Sequence, residues 1–308
     1  MEEKPNTGHL ASQRIATAEM EENHRRPLTA GLYLVATPIG NLRDITLRAL
    51  DTLKEADLIA CEDTRVTRKL LSAYNISTPT TSYGEHNADR ARPDLLRRLQ
   101  EGARIALVSD AGTPLLSDPG YKLVQEALNR GIAVTAVPGA SALLAALSIA
   151  GQPTDRFFFA GFLPAKDSAR KEALKELRHL PATLVFYESP RRVPETLAAM
   201  AEIFGATRPA SLCRELTKLF EEARRAPLSE LADYYEREGP PKGEVVLVIA
   251  PPEASTREVT AEDRDALLRQ ALATLSVKEA SASVAETLNL PRKEVYQRAL
   301  ELKGAVKA

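Results

Sequence analysis

The sequence predicts an α/β protein: two α/β domains followed by a small helical domain. Three observations predict it. From Leu32 onward, short apolar runs alternate with amphipathic stretches of helical period, the pattern of parallel βαβ units. Five of these runs in the first half end abruptly in a compact polar or glycine-rich motif. Beyond Pro251-Pro252 the strand-like runs stop and the pattern is helical.

Residues 1–29 are polar without a sustained period, which predicts a disordered tail. The first α/β domain spans 30–150. Its strand-like runs lead into Thr37-Pro38-Ile39-Gly40-Asn41-Leu42, Glu62-Asp63-Thr64-Arg65, Gly84-Glu85-His86-Asn87, Ser109-Asp110-Ala111-Gly112-Thr113-Pro114 and Pro138-Gly139-Ala140-Ser141. A helix starting near Asp44 or Thr46 carries Ile45, Leu47, Ala49, Leu50 and Leu53. Others cover 92–99, stopping at Gly102, and about 121–129, stopping near Gly131, where glycine relieves the strain of a left-handed cap. After Gly151-Gln152-Pro153 a second α/β domain, 151–252, has strands at 157–159, 182–187, 212–213 and 244–249. Its helices cover about 168–179, 191–204 and 229–237. A polar linker, 253–258, leads to the helical domain, 259–308. There a short helix, a turn at Pro291 and a helix opening with Arg292-Lys293 read either as a helix-turn-helix or as a plain helical hairpin.

Composition narrows the function. Of 308 residues, 44% are hydrophobic and 27% charged, and the formal net charge is -1, so no global basic field marks a nucleic-acid binder. Local basic clusters occur at Lys166/Arg170/Lys171, Arg191/Arg192, Arg224/Arg225 and Arg292/Lys293. Singly they read as solvated faces; jointly they could follow a phosphate backbone. Cys61 and Cys213 lack metal or redox spacing and read as buried thiols. No run is long enough to span a bilayer and no leader pattern follows Met1, so a cytoplasmic protein is expected, without membrane association.

In an open parallel sheet, ligands bind outside the carboxyl ends of the strands, so the five motifs converge on one edge. Gly112 and Gly139 let backbone approach a ligand closely, while Asp110, Thr113, Ser117, Asp118 and Ser141 add side-chain donors and acceptors. No dinucleotide or P-loop glycine pattern is present. Glu62-Asp63-Thr64-Arg65 reads in two ways: a general base with a positioning cation, or a helix start capped by Asp63. His86, with no second histidine near it, suits hydrogen bonding rather than a metal. In the second domain Glu188 and the arginines Arg191 and Arg192 exceed what a helix start at Ser189-Pro190 requires. Arg214-Glu215-Leu216-Thr217-Lys218 is another charged strand end, and Gly243-Glu244 could close a pocket with its backbone.

These motifs, in this order, resemble the bacterial ribosomal RNA small subunit methyltransferase I family of the tetrapyrrole-methylase-like superfamily. The blocks that carry the resemblance are Thr37 to Thr46, Glu62 to Arg65, Ser109 to Pro114 and Tyr187 to Pro190. The resemblance covers about 31–252 and, more weakly, the helical tail. It implies S-adenosyl-L-methionine folded in a cleft between two α/β domains, a homodimer, no metal, and 2′-O-methylation of a cytidine in 16S rRNA of the small ribosomal subunit. It implies cofactor contacts from Ile39, from Asp110, Ala111, Gly112, Thr113, Leu116 and Ser117, and from Gly139, Ala140 and Ser141. From the second domain it adds Tyr187, Glu188, Arg214, Gly243 and Glu244. Asn41, Arg65, His86, Asn87, Arg191 and Arg192 are candidate substrate contacts, and Glu62, Asp63 and Asp44 are candidate bases. The superfamily's usual glycine-rich G-x-G-P-G-D opening is replaced by Thr37-Pro38-Ile39-Gly40-Asn41. Arg191 stands where the family often has histidine, which removes an imidazole base there. The alternatives are a methyltransferase acting on a small tetrapyrrole and a non-enzymatic nucleic-acid-binding regulator led by the helical tail.

Overall fold

A computed structural model describes residues 27–253, 261–288 and 290–305. The tail read at 1–29 and the linker at 253–258 therefore fall largely outside the described residues. The chain divides into two compact units, one through Pro251 and one from Pro252 onward.

The first unit holds two five-stranded sheets. Sheet one contains β1 (Gly31–Val35), β2 (Leu58–Cys61), β3 (Thr80–Ser82), β4 (Arg104–Val108) and β5 (Val134–Val137), in the order β3-β2-β4-β1-β5. All its pairings are parallel, with Leu32 facing both Ile105 and Val134 in register. Helices cover both faces. Ala49 and Leu53 of α1 (Leu47–Glu55) and Leu71 of α2 (Thr64–Ala73) pack on one. Leu95, Leu96 and Leu99 of α3 (Ala88–Gln100) and Leu123 and Ala127 of α4 (Tyr121–Asn129) pack on the other. The connection leaving β1 runs toward β2, and that leaving β4 runs toward β5, so adjacent strands send their chains in opposite directions. A crevice opens where this happens in a doubly wound sheet.

Sheet two contains β6 (Phe157–Phe162), β7 (Thr183–Glu188), β8 (Pro209–Arg214), β9 (Glu222–Pro227) and β10 (Val245–Ile249), in the order β6-β7-β10-β8-β9. Only β6 and β7 run parallel. One face packs on α6 (Asp167–Leu177), α7 (Val193–Phe204) and α8 (Leu228–Glu238), through Leu174, Leu197, Met200 and Leu231. The other is covered by α5 (Ala142–Ile149), whose Leu143, Ala146 and Leu147 meet Val185, Cys213, Val246 and Val248. The boundary read at 150/151 thus follows a helix that packs on the second sheet. β9 is absent from the sequence expectation because Glu-Ala-Arg-Arg-Ala-Pro has no apolar alternation; it is an edge strand, where charged residues are tolerated and discourage further pairing.

Among the described residues the second unit holds three helices: α9 (Ala261–Leu272), α10 (Val277–Leu288) and α11 (Arg292–Ala305). Leu268, Val284, Ala285, Val295 and Ala299 form its core. A capping box starts α10: Ser276 N–H donates to Glu279 Oε2 at 3.1 Å, and Glu279 N–H donates to Ser276 Oγ at 3.3 Å. Among the described residues no helix is long and apolar enough to cross a membrane.

Candidate active site

A cavity of about 360 Å³ lies at the crevice of sheet one and is closed by strand ends of sheet two. That volume falls within the range of small-molecule sites. Its first wall is the loop after β4. Thr37 and Gly112 exchange backbone hydrogen bonds of 2.9 and 3.0 Å, so the loops leaving β1 and β4 are tied together at the switch point. Gly112 has φ +82°, and a Cβ there would stand 3.3 Å from Ile39 Cγ2. Both residues line the cavity with Asp110, Ala111, Thr113, Leu116 and Ser117.

Tyr187 and Glu188, at the end of β7, supply the second wall, with Glu244 at the entry to β10. Phe159 and Phe162 hold the Tyr187 ring edge-on, with centroids at 4.8 and 5.7 Å. Its hydroxyl accepts from Leu143 N–H at 3.2 Å, which fixes the first turn of α5 to β7. Burial pushes the Tyr187 phenol upward. Lys218 joins the loops of the two sheets. Its Nζ donates to Glu215 Oε1 at 2.8 Å and Glu244 Oε2 at 3.0 Å, while its stem fills the space that a Cβ on Gly40 would need. Of the five non-glycine residues with positive φ among those described, Leu115 and Ser117 lie on the loop after β4, whose Ser117 lines the cavity, and Glu215 and Thr217 lie on the loop that carries Lys218. Strain of this kind gathers where a binding geometry is imposed on a loop.

The Glu188 side chain is wholly buried and accepts from Ser189 N–H and Thr196 Oγ1–H, both at 2.7 Å, beside Arg192 Nε at 3.4 Å. Removing it strands the fully buried Thr196 hydroxyl and leaves the Arg192 guanidinium without its nearest carboxylate. Glu188→Ala is expected to lose about 2–4 kcal/mol of unfolding free energy. Urea titration checks this; a loss under about 0.5 kcal/mol, the scale of a neutral surface change, refutes it.

Other predicted residues do not line the cavity. Ala140 O accepts from Thr113 Oγ1 at 3.1 Å, Ser141 caps α5, and Gly139 packs on Ala36. Arg214 is bound to Glu222 at 2.8 Å, and Gly243 backs onto Glu215. Asn41 caps the 3-10 turn that contains Asp44, and neither lines the cavity. His86 is exposed on its loop and Arg191 on the 3-10 turn Pro190–Arg192, and Asn87 is committed to Gly84 N–H and Ser82 O. Arg192 donates to the Leu163 and Pro164 carbonyls.

The acidic motif divides. Asp63 caps α2, accepting from Arg65 N–H at 2.8 Å, and pairs with the Arg65 guanidinium at 2.6 Å. Those hydrogen bonds hold its carboxyl at about 2, and a carboxylate so bound is a poor proton acceptor. It also pairs the cation expected to meet substrate. Glu62 stays exposed; partial desolvation, then the charges of Asp110, Glu85 and Asp63, raise its carboxyl. Asp118, read only as one loop acceptor among several, lines the cavity. Desolvation first, then the nearby Glu62 and Asp110 carboxylates, push it up to about 6. The Ser-Asp-Pro-Gly turn was its one sequence signal, and turn chemistry explains that turn equally well.

Residues 31–232 match the family described as tetrapyrrole (corrin/porphyrin) methylases, and residues 258–303 match the RsmI C-terminal HTH domain. A curated relative from Mesorhizobium japonicum, ribosomal RNA small subunit methyltransferase I, is 53% identical over 90% of this chain and 94% of its own. The protein of the same name from Pseudomonas aeruginosa is 45% identical over 90% of this chain and 99% of its own. Among solved structures, uroporphyrin-III C-methyltransferase from Thermus thermophilus, complexed with S-adenosyl homocysteine, aligns with a TM-score of 0.52 at 21% identity, covering 71% of this chain and 97% of that one. Diphthine synthase aligns with a TM-score of 0.56 at 16% identity over 71% of this chain and 89% of that one; these two likenesses concern the fold alone. By the family match and the identity to curated relatives, the chain belongs to the tetrapyrrole methylase family and, within it, to the ribosomal RNA small subunit methyltransferase I group.

Proposed function

We propose that this chain transfers a methyl group from S-adenosyl-L-methionine to the 2′-oxygen of a cytidine ribose in 16S rRNA. The observation that carries the reading is identity of 45–53% over nine-tenths of the chain to relatives named for small-subunit rRNA methylation. The cavity suits the cofactor: Ile39, Leu116, Phe162 and Val246 offer an apolar bed for a purine, and Asp110 and Glu244 offer acceptors for hydroxyl and ammonium groups. Gly112 leaves open the space a side chain would fill. No metal enters this reading. A ribosomal RNA substrate favours a cytoplasmic location, and a second copy is proposed to cover exposed apolar side chains such as Phe157, Phe158, Leu219 and Phe220.

When bound, the cofactor supplies a sulfonium methyl carbon that is already electrophilic. The protein must then hold the ribose hydroxyl in line with it, exclude water, and take one proton. Alignment alone is worth roughly 7–11 kcal/mol. Three carboxylates were candidates for the proton. Asp63 is bound to Arg65, and Asp44 does not line the cavity. We assign the role to Asp118, with Glu62 next to it in charge and position. With cofactor and substrate in place, the Asp118 carboxylate would take the proton of the ribose hydroxyl as that oxygen receives the methyl group, S-adenosylhomocysteine being the leaving group.

The test offers tritiated-methyl cofactor with either small ribosomal subunits or a uroporphyrinogen, followed by nucleoside mass spectrometry. Label in a 2′-O-methylcytidine is the expected result; label in the tetrapyrrole, or in a methylated base, overturns the reading.

A further inference from the structure

We propose that the second unit carries its own RNA-backbone pocket, between the first turns of α10 and α11, which holds a phosphodiester of single-stranded RNA and stacks the adjoining base on Tyr296. The proposal rests on the reading of the chain as an RNA-modifying enzyme. Lys278 and Ser281 of α10 and Arg292, Lys293 and Tyr296 of α11 line an open concavity of about 440 Å³. Arg292 and Lys293 stand four and three residues before Tyr296, so all three share one helix face.

The charges there are unusual in two ways. Lys278, Arg292 and Lys293 form no ion pair among the described residues, whereas Arg264 and Arg298 in the same unit are both bound to Asp265, and Arg298 also to Glu301. Neither neighbouring carboxylate pairs with them: Glu279, still an anion, is turned to Ser276, and neither it nor Glu294 lines the concavity. All three cations also lie in first helical turns, where the helix dipole disfavours positive charge and helix stability alone would select acids. Three cations without ion pairs among the described residues and two positive helix ends thus face one hollow. An anion with several oxygens is the complementary ligand.

Tyr296 narrows the class. It is 42% exposed beside the cations and offers an aromatic face to a base. In a duplex the base faces are already stacked; single-stranded RNA presents them.

The experiment uses the full chain, a short fluorescent single-stranded RNA, and duplex DNA of the same sequence, with anisotropy read across salt concentrations. The triple variant Lys278→Ala/Arg292→Ala/Lys293→Ala is expected to weaken RNA binding at least about tenfold and to flatten the log–log salt slope by about two. Tyr296→Leu should weaken it about fivefold or more, and Tyr296→Phe should bind like the parent. Helicity by circular dichroism and calorimetric affinity for S-adenosyl-L-methionine should stay unchanged in every variant. Parental RNA affinity and slope in the triple variant, equal behaviour of the Leu and Phe variants, or preference for duplex DNA would each overturn the proposal. Because the readout is RNA binding and not methyl transfer, a failure of the methylation reading remains distinguishable from a failure here.

Discussion

Gly112→Val is expected to reduce affinity for S-adenosyl-L-methionine about a hundredfold or more, the largest single loss available from one cavity residue. Two independent obstacles act at this position. The backbone sits at φ +82°, where a β-branched residue is a genuine outlier and costs about 1–3 kcal/mol. The paired hydrogen bonds to Thr37 prevent the loop from swinging to relieve that strain. The added atoms also stand against Ile39, 3.3 Å away at the first carbon, in space proposed for the cofactor. Titration calorimetry measures the loss, and a melting curve shows whether the fold survives. Gly112→Ala separates the terms: it keeps the strain but adds only the Cβ, so it should fall between parent and valine. The double variant Gly112→Ala/Ile39→Ala should lose less affinity than the two single changes summed, and that difference isolates the steric coupling. Unchanged affinity in the valine variant would remove the loop from the binding site.

The strand ends of sheet one were legible because each combines a short apolar run with a polar stop, and because parallel topology forces those stops to one edge. α5 was not legible: Ala-Leu-Leu-Ala-Ala-Leu-Ser-Ile is apolar on nearly every side, so periodicity carries no signal, and its packing on the second sheet reflects tertiary context. The same limit affects single residues. Arg214 stands at a charged strand end suited to a ligand, but its partner is Glu222 on β9, a strand that the sequence does not reveal. Asp63 was open to two readings, cap and base. The cap is observed, and the ion pair with Arg65 that lowers its basicity depends on side-chain geometry that no spacing rule contains. The relevance of Asp118 arises the same way, from its burial and from the charges of Glu62 on another loop and Asp110 on its own.

Asp118→Asn should make the protein more stable at neutral pH while slowing methyl transfer about 10²–10⁴-fold, the usual worth of a positioned base. The sign follows from linkage. Burial and the charges of Glu62 and Asp110 raise this carboxyl to about 6, above its value of about 3.9 in an unfolded chain. Between those values the folded state binds the extra proton. The parent's stability contribution from this group is therefore complete below about pH 4 and is lost as pH rises through about 6. A shift of about two units corresponds to on the order of 1–3 kcal/mol, so asparagine should raise stability by that order at pH 7 and by almost nothing at pH 4. Catalysis runs the opposite way with pH. Only the ionised carboxylate accepts a proton, so single-turnover rates of the parent should climb through about pH 6 to a plateau, and the variant should lack that limb. Gain in stability with loss of rate marks a group held in an unfavourable state for its chemistry. A structural role would instead lower stability and leave the pH profile in place. Should Asp118→Asn retain both rate and limb, Asp118 is not the acceptor, and the same profile on Glu62→Gln then decides whether the neighbouring carboxylate takes the proton.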